Sequence, residues 1–242
     1  MYFYRVPPGP FDPYSANVRL LLRGDSGNNT TNYIDSSVNN LTVSNFGTTF
    51  MSTGSIKYGA SSMYFGGSGS YLTAPGTSFN LGTGSFTTEL WINPLSATVN
   101  NQVKYLFGID RSAVAGFAGM IGSLTYSLAA NKYSLGIVAT TTGTSWTINN
   151  QNITSGFNIN PNVWTHLAFV RNVNSWLVYV NGVRYTIGTF AGSVTFTNGV
   201  GIGADAARSS GLNNYFGYID DFRVTKGIAR YTDPVITPPS AL

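Results

Sequence analysis

One segment, from Val163 to Ile187, constrains the fold more than any other part of the chain. Residues Val163–Val170 are mostly apolar, and β-branched and aromatic side chains dominate, which predicts a strand buried on at least one face. Trp176–Val180 and Val183–Ile187 continue the pattern. Asn181-Gly182 between them is the strongest short hairpin signal, because a type I′ turn needs positive φ at both central positions. We therefore expect three adjacent antiparallel strands, which must bury one face against a second sheet.

Short strands recur along the rest of the chain. The alternation along Gly84–Ile92 places four residues on one face: Phe86, Thr88, Leu90 and Ile92. The other predicted strands are Val18–Leu22, Tyr33–Ser37, Thr42–Val43, Ser62–Phe65, Tyr71–Leu72, Tyr105–Ile109, Tyr133–Ala139, Ser145–Ile148, Val200–Gly203 and Tyr218–Val224. We expect a loop at Ala113–Met120, and no segment makes a convincing helix. About a dozen short strands at regular spacing predict an all-β fold, with two antiparallel sheets packed as a sandwich.

Prolines indicate that both ends of the chain are extended. Four prolines lie in the first 13 residues and three in the last nine, whereas a sheet interior excludes proline. The chain therefore divides into an N-terminal arm (1–15), a sandwich (16–232) and a C-terminal tail (233–242). The arm is too aromatic for a free tail, and we expect five of its residues to bind a neighbouring copy or another protein: Tyr2, Phe3, Tyr4, Arg5 and Phe11. The alternative, that the arm covers an edge of its own sheet, stays open.

Composition excludes several classes of partner and site. The chain has no cysteine, which excludes disulfides and thiolate metal sites. Its thirteen Lys and Arg residues are scattered singly, so the sequence predicts a mildly basic surface and no nucleic-acid partner. No hydrophobic run approaches the length of a membrane span, and Met1–Pro10 lacks the apolar region of a signal peptide.

The order of several motifs resembles a known superfamily. Between residues 18 and 232 the chain carries, in order, L-L-L-R-G-D, Y-I-D-S-S, S-M-Y-F-G-G-S-G-S-Y-L, F-N-L-G-T-G-S-F-T-T-E-L-W-I, W-T-H-L-A-F-V-R, V-Y-V-N-G and F-G-Y-I-D-D-F-R-V-T-K-G-I-A-R-Y-T. This series resembles the laminin G-like, concanavalin A-like lectin/glucanase superfamily. It is similar in particular to the single-domain versions common in bacteriophage virion proteins and bacterial surface proteins. The resemblance implies a jelly-roll sandwich with one concave and one convex face, but it leaves the function open.

The chain contains few of the side chains that hydrolases use for catalysis, which argues against an enzyme. The glycoside hydrolases of the resembling superfamily need two carboxylates, in a Glu-x-Asp-x-Glu strand, yet Glu89 is the only glutamate of this chain. We expect Glu89 to be a solvated or hydrogen-bonded strand residue and His166, the only histidine, to be a core residue. Asp220 and Asp221 are adjacent on a predicted strand and should point to opposite faces. We therefore predict no catalytic residues and no certain cofactor.

A structural calcium ion is the one cofactor that the resemblance suggests. The first and last strands of such sandwiches usually lie side by side, which would bring Asp25 near Asp220. In the resembling hydrolases, an Asp at the position of Asp220 often holds calcium, and loop carbonyls would complete its shell. The favoured alternative is that Asp220 accepts backbone hydrogen bonds at the mouth of a loop.

Aromatic residues could also form a platform for a surface glycan, because the apolar face of a pyranose stacks on an aromatic ring. Four residues are candidates if they are exposed: Tyr126, Tyr133, Trp146 and Tyr215. Packing into the core or its rim is the favoured alternative for each of them.

Two functions follow from the sequence. The first is a non-enzymatic structural protein on a virion surface, either a capsid decoration (cement) protein or a tail-associated protein. Its partners would be a major capsid or tail protein, or copies of itself. The second is an extracellular lectin or adhesin module that binds carbohydrate.

Overall fold

Along the strands, successive side chains point alternately into a shared core and towards the outer face of their sheet. The computed structural model describes residues 12–76, 79–109, 117, 119–153, 157–194, 199–205 and 213–241. A single turn of 3-10 helix at Ser15–Asn17 precedes the first strand. The strands are β1 (Val18–Leu22), β2 (Ser44–Phe46), β3 (Thr49–Ser52), β4 (Ser62–Gly66), β5 (Tyr71–Ala74), β6 (Phe86–Pro94), β7 (Val103–Ile109), β8 (Met120–Ser127), β9 (Lys132–Ala139), β10 (Ile148–Ile153), β11 (Thr165–Asn172), β12 (Ser175–Val180), β13 (Val183–Thr189), β14 (Val200–Ile202) and β15 (Phe216–Lys226).

The strands form two antiparallel sheets. The first sheet has the order β13-β12-β11-β6-β15-β4-β3, and β1 pairs with the half of β15 that β4 leaves open. The second has the order β10-β9-β8-β7-β14-β5-β2. Apolar side chains from both sheets make one core, so the predicted all-β, two-sheet sandwich is confirmed. Within the described residues, no helix has the length and hydropathy needed to cross a membrane.

The meander predicted between Val163 and Ile187 is present. Strand β11 pairs with β12, and β12 pairs with β13, in the expected antiparallel order. The turn between β12 and β13 has φ of 48° at Asn181 and 85° at Gly182, the positive values that the hairpin signal requires.

Strand β6 lies in the middle of the first sheet and is buried on both faces. Phe86, Leu90 and Ile92 face the core, as the alternation predicts. The residues between them are also buried, including Glu89 and Trp91 on the outer face. Something must therefore cover the outer face of this sheet.

Residues after β15 provide part of that cover. Ala168, Val170, Leu177 and Tyr179 form a small apolar cluster on the outer face, and Tyr231 and Ile236 pack against it. The Ile236 amide donates to the Gly182 carbonyl at 2.9 Å, and Val235 bridges to Val183. The described part of the C-terminal tail thus lies against the sandwich.

Some local predictions differ from the structure. Residues 33–37 were expected to form a strand, but they make one bridge, from Asp35 to Leu22. Strands β2 and β3 are short and partly polar, and the sequence pattern did not indicate them. Strand β8 begins at Met120, the last residue of a predicted loop, and it is not among the predicted strands. Its Gly122 packs so closely against β7 that a Cβ there would lie 2.5 Å from the Phe107 ring. Glycine is unfavourable inside a strand, so a strand that needs glycine for close packing is not indicated by residue propensities.

Candidate functional site

Glu89 is the centre of a buried polar cluster on the outer face of the first sheet. Strand pairing places Arg223 directly opposite Glu89, and Arg223 Nη2 and Nε donate to Glu89 Oε1 at 2.7 and 3.0 Å. The Tyr231 hydroxyl donates to Glu89 Oε2 at 2.6 Å, and His166 Nε2 lies 3.4 Å from the same oxygen. Glu89 is completely buried. Of the two expectations for Glu89, the hydrogen-bonded strand residue is therefore the correct one.

The charge state of Glu89 follows from opposing effects. Burial favours the neutral form, but the hydrogen bond with His166 and the charge of Arg223 outweigh it and lower the pKa of Glu89 to about 2. Glu89 is thus an anion at neutral pH and carries no proton to donate. Its burial also keeps it away from any substrate in this arrangement.

A second carboxylate extends the cluster to the segment before β1. Arg230 Nη1 and Nη2 donate to Asp12 Oδ1 and Oδ2 at 3.0 and 2.7 Å, and Arg223 Nη1 lies 3.4 Å from Asp12 Oδ2. Burial opposes the ionisation of Asp12, but the hydrogen bonds with Arg230 and Tyr14 prevail and lower its pKa. Glu89, Arg223, Asp12 and Arg230 form a chain of alternating charge, which we call the terminal clamp.

A cavity of about 430 Å³ lies beside the terminal clamp. Its lining combines the clamp residues Asp12, Arg223 and Arg230 with apolar Val18 and Leu21. Charged and polar residues of adjoining segments also line it, among them Arg23, Asp25, Ser36, Ser37, Tyr58 and Asp221, and so do Pro239 and Ala241 of the C-terminal tail. Asp12, the first residue that the structure describes, therefore lies at this cavity.

The two predicted calcium ligands, Asp25 and Asp220, both accept hydrogen bonds from the loop between β3 and β4. Because β1 pairs with β15, Asp25 and Asp220 approach the same segment. Asp220 Oδ2 accepts hydrogen bonds from the amides of Lys57 and Tyr58 at 3.2 and 3.1 Å, and Asp25 Oδ1 accepts one from the Ala60 amide at 3.0 Å. Among the described residues, no group of three or more His, Cys, Asp or Glu side chains is placed to hold a metal ion. The contacts of Asp220 match the alternative of a carboxylate bonded to backbone, and the calcium site stays a prediction.

The backbone at Asp220 departs from the expected alternation. The pairing of β6 with β15 shifts register between Asp220 and Arg223, and Asp221 has a φ of 49°. This bulge buries both aspartates, where regular alternation would have put them on opposite faces. Burial, together with the Asp221 carboxylate, raises the pKa of Asp220 to about 8 despite the backbone hydrogen bonds that oppose it.

Three of the four predicted sugar-contacting rings are not on the surface. Tyr126 and Tyr133 are each 3% exposed and Tyr215 is 1% exposed, because all three pack into the core between the sheets. The favoured alternative for these three residues, packing into the core, is therefore confirmed, and in this structure they offer no exposed ring to a sugar. Trp146 is only half-buried and contacts Phe117 edge to face, with ring centroids 5.4 Å apart.

The remaining predicted contacts are those of the N-terminal arm. Tyr2, Phe3, Tyr4, Arg5 and Phe11 lie outside the described residues. The clamp residues Arg223, Arg230 and Asp12 were not singled out from the sequence, because their partners lie far away along the chain and no local spacing marks them.

Comparison with protein families gives one result. A model described as the concanavalin A-like lectin/glucanases superfamily, of the laminin G type, matches residues 65–229. A comparison with curated protein sequences finds no significant match.

Solved structures with the same fold have low sequence identity to this chain. The binding domain of Paraclostridial Mosquitocidal Protein 1 is 14% identical, with a TM-score of 0.61, over 88% of this chain and 49% of that chain. Domain 4 of AbnA, a GH43 extracellular arabinanase from Geobacillus stearothermophilus in complex with arabinotriose, is 19% identical, with a TM-score of 0.56, over 87% of this chain and 93% of that one. The botulinum neurotoxin type G receptor binding domain is 14% identical, with a TM-score of 0.59, over 86% of this chain and 47% of that chain. This chain thus spans about half the length of the two toxin domains.

Proposed function

Because the chain belongs to the concanavalin A-like lectin/glucanase superfamily, we propose that it is a non-enzymatic binding module. The observation that carries this proposal is the state of Glu89. Hydrolysis of a glycoside needs a carboxylic acid and a second carboxylate that both reach the substrate. The only glutamate of this chain is buried, ionised and bound by Arg223 and Tyr231.

Within this class, we propose a structural role on a virion surface, as a capsid decoration or tail-associated protein. The sequence resemblance to single-domain modules of bacteriophage virion proteins supports this role. So does the terminal clamp, because it fixes Asp12 and gives the aromatic arm a defined starting point at the rim of the cavity. The arm would bind a major capsid protein, a tail protein or another copy of the chain.

Two measurements test these proposals. The purified chain should sediment together with assembled particles and should release no reducing sugar from a panel of soluble polysaccharides. Sugar release that disappears in Glu89→Gln would refute the non-enzymatic proposal. Failure to sediment with any particle would refute the structural role.

Carbohydrate binding is the second candidate. It is favoured by the half-buried Trp146 and by the structural similarity to an arabinanase domain in complex with arabinotriose. In that case the chain would act outside the cell as a lectin or adhesin module. Saturable binding to one component of a glycan array would support this candidate over the virion role.

A further inference from the structure

The cavity beside the terminal clamp has an apolar side that the clamp does not use. Val18 and Leu21 of β1 form a small apolar cluster apart from the main core, and both line the cavity. Tyr58 and Pro239 also line it and are half-buried, whereas Val38 lines it and is 71% exposed. The cavity therefore offers apolar surface that stays open to solvent at Val38.

The charges that line the cavity do not cancel. Within the terminal clamp, two carboxylates balance two guanidinium groups. The lining adds three charged residues from neighbouring segments: Arg23, Asp25 and Asp221. Two aspartates against one arginine leave one net negative charge, and the Asp25 side chain is exposed. A partner that carries apolar groups and a single positive charge is therefore complementary to this cavity.

The residues that precede Asp12 have this composition. Residues 1–11 lie outside the described residues, and their sequence is M-Y-F-Y-R-V-P-P-G-P-F. We call residues 2–5 the arm tip, which holds three aromatic rings and Arg5. Arg5 is the only charged side chain among residues 1–11. The arm tip thus matches both the apolar lining and the net negative charge of the cavity.

The segment between the arm tip and Asp12 favours presentation of the tip to a second molecule. It carries prolines at positions 7, 8 and 10. Proline restricts φ and disfavours helical backbone in the residue before it, so this sequence favours an extended polyproline II spacer, which is semi-rigid. At about 3.1 Å per residue, the stretch from Arg5 to Asp12 spans about 22 Å. Because Asp12 itself lines the cavity, that span carries the arm tip well beyond a cavity of about 430 Å³.

We propose that the arm tip of one copy of the chain binds in the cavity of a second copy. The aromatic rings of the tip pack against Val18, Leu21 and Val38. The Arg5 guanidinium faces the Asp25 carboxylate. The volume of the cavity lies within the range of about 300–1,000 Å³ that is usual for ligand pockets. Every copy carries one tip and one cavity, so the contact is heterologous and links copies head to tail into a ring or a chain.

This inference rests on the structural role proposed above, and it names another copy of the chain as the partner of the arm. The two proposals can fail separately. Sedimentation with particles tests the structural role, whereas self-association of the chain without particles tests the cavity. A chain that sediments with particles but does not self-associate would refute the cavity contact and leave the structural role in place.

Two variants of the full chain separate the arm tip from the cavity. Deletion of residues 2–5 removes the tip and keeps the proline spacer and Asp12. Val38→Arg places a bulky positive charge at the cavity, where it repels Arg5, and Val38 is exposed enough to be replaced without loss of folding. The matched control is Val99→Arg, because Val99 is 54% exposed and does not line the cavity.

The measurement is sedimentation velocity over a range of concentrations. We expect the unmodified chain and Val99→Arg to self-associate as the concentration rises. Deletion of residues 2–5 and Val38→Arg should each raise the dissociation constant by at least about tenfold. Self-association that is absent from the unmodified chain, or that Val38→Arg leaves unchanged, would refute the proposal.

An equimolar mixture of the two defective variants gives the sharpest test. The deletion variant keeps an open cavity, and Val38→Arg keeps its arm tip, so the tip of the second should enter the cavity of the first. We expect a one-to-one heterodimer and no larger species, because the remaining tip and cavity of that pair are absent or blocked. A mixture that stays monomeric would refute the proposal. If Val38→Arg were then also less stable in urea than Val99→Arg, the arm tip would be assigned to its own cavity.

A charge exchange decides the matter if Val38→Arg does not fold. Arg5→Asp should weaken self-association, because it places a carboxylate opposite Asp25. The double variant Arg5→Asp with Asp25→Arg should restore it, since the pair is re-formed with its signs exchanged. Double variants that associate no better than Arg5→Asp alone would overturn the pairing and the proposal with it.

Discussion

Asp12 and Arg230 lie 218 positions apart in the chain, yet they share two hydrogen bonds. Through Arg223 the same network reaches Glu89 in the middle of the first sheet. The segment before β1 and the segment after β15 are therefore tied to each other and to the sheet by charged groups, of which Glu89, Arg223 and Arg230 are largely buried and Asp12 is 26% exposed. This arrangement makes the terminal clamp the first target for stability measurements.

Removing the Asp12 charge should weaken the clamp. Asp12→Asn removes the nearer of the two carboxylates beside Arg230, leaving Glu89 Oε1 at 3.8 Å, and deprives Arg223 of its second carboxylate; both guanidinium groups are largely buried. We expect the free energy of unfolding to fall by about 1–3 kcal/mol, measured by urea denaturation. Asp233→Asn is the matched control, because Asp233 is exposed, and it should change stability by less than about 0.5 kcal/mol. Equal effects of the two substitutions would contradict the clamp.

The pH dependence of stability should report on Glu89. Its pKa of about 2 in the folded state lies below the value of about 4.3 expected in the unfolded chain. A lowered pKa stabilises the fold above the unfolded value, so this contribution is lost as the pH falls from about 4.5 to 2. We expect Glu89→Gln to unfold more easily at pH 7, by about 3 kcal/mol, because Arg223 stays buried and keeps only the more distant carboxylate of Asp12, at 3.4 Å. The variant should also lose much of the decline in stability between pH 4.5 and 2, followed by thermal unfolding. A decline as steep as that of the unmodified chain would show that other carboxylates cause it.

Local chemistry was enough to predict much of this fold. The Asn181-Gly182 turn and the alternation of Phe86, Leu90 and Ile92 are signals contained within a few residues, and the structure has both. The sandwich follows from them, because such strands must bury a common face.

The clamp could not be predicted in the same way. Glu89 meets Arg223 across 134 residues, and only the strand order shows that they are neighbours. For Tyr133 the sequence left exposure and core packing open, because it does not show which side of β9 faces the core.

Metal removal distinguishes the two interpretations of Asp220. Two backbone amides point at Asp220 Oδ2, and a cation bound there would be repelled by the same N–H groups. We therefore expect EDTA to leave the Tm of the chain unchanged and added Ca²⁺ to leave it unchanged as well. A drop in Tm with EDTA that Ca²⁺ restores, and that is absent in Asp25→Asn, would establish the calcium site instead.

Deletion of the N-terminal arm tests its role, and the contacts of Asp12 in the terminal clamp set the boundary of the deletion. A deletion that removed Asp12 would also break its hydrogen bonds to Arg230, and a loss of stability would then say nothing about the arm. Residues 2–11 should therefore be deleted and Asp12 retained. If the arm binds a partner, this variant should unfold at the same urea concentration as the full chain and should no longer assemble or sediment with particles. Three or four aromatic anchors, at about 1.5–3 kcal/mol for each ring buried, are enough to explain such a loss. The opposite result, a less stable monomer with assembly unchanged, would mean that the arm covers its own sandwich.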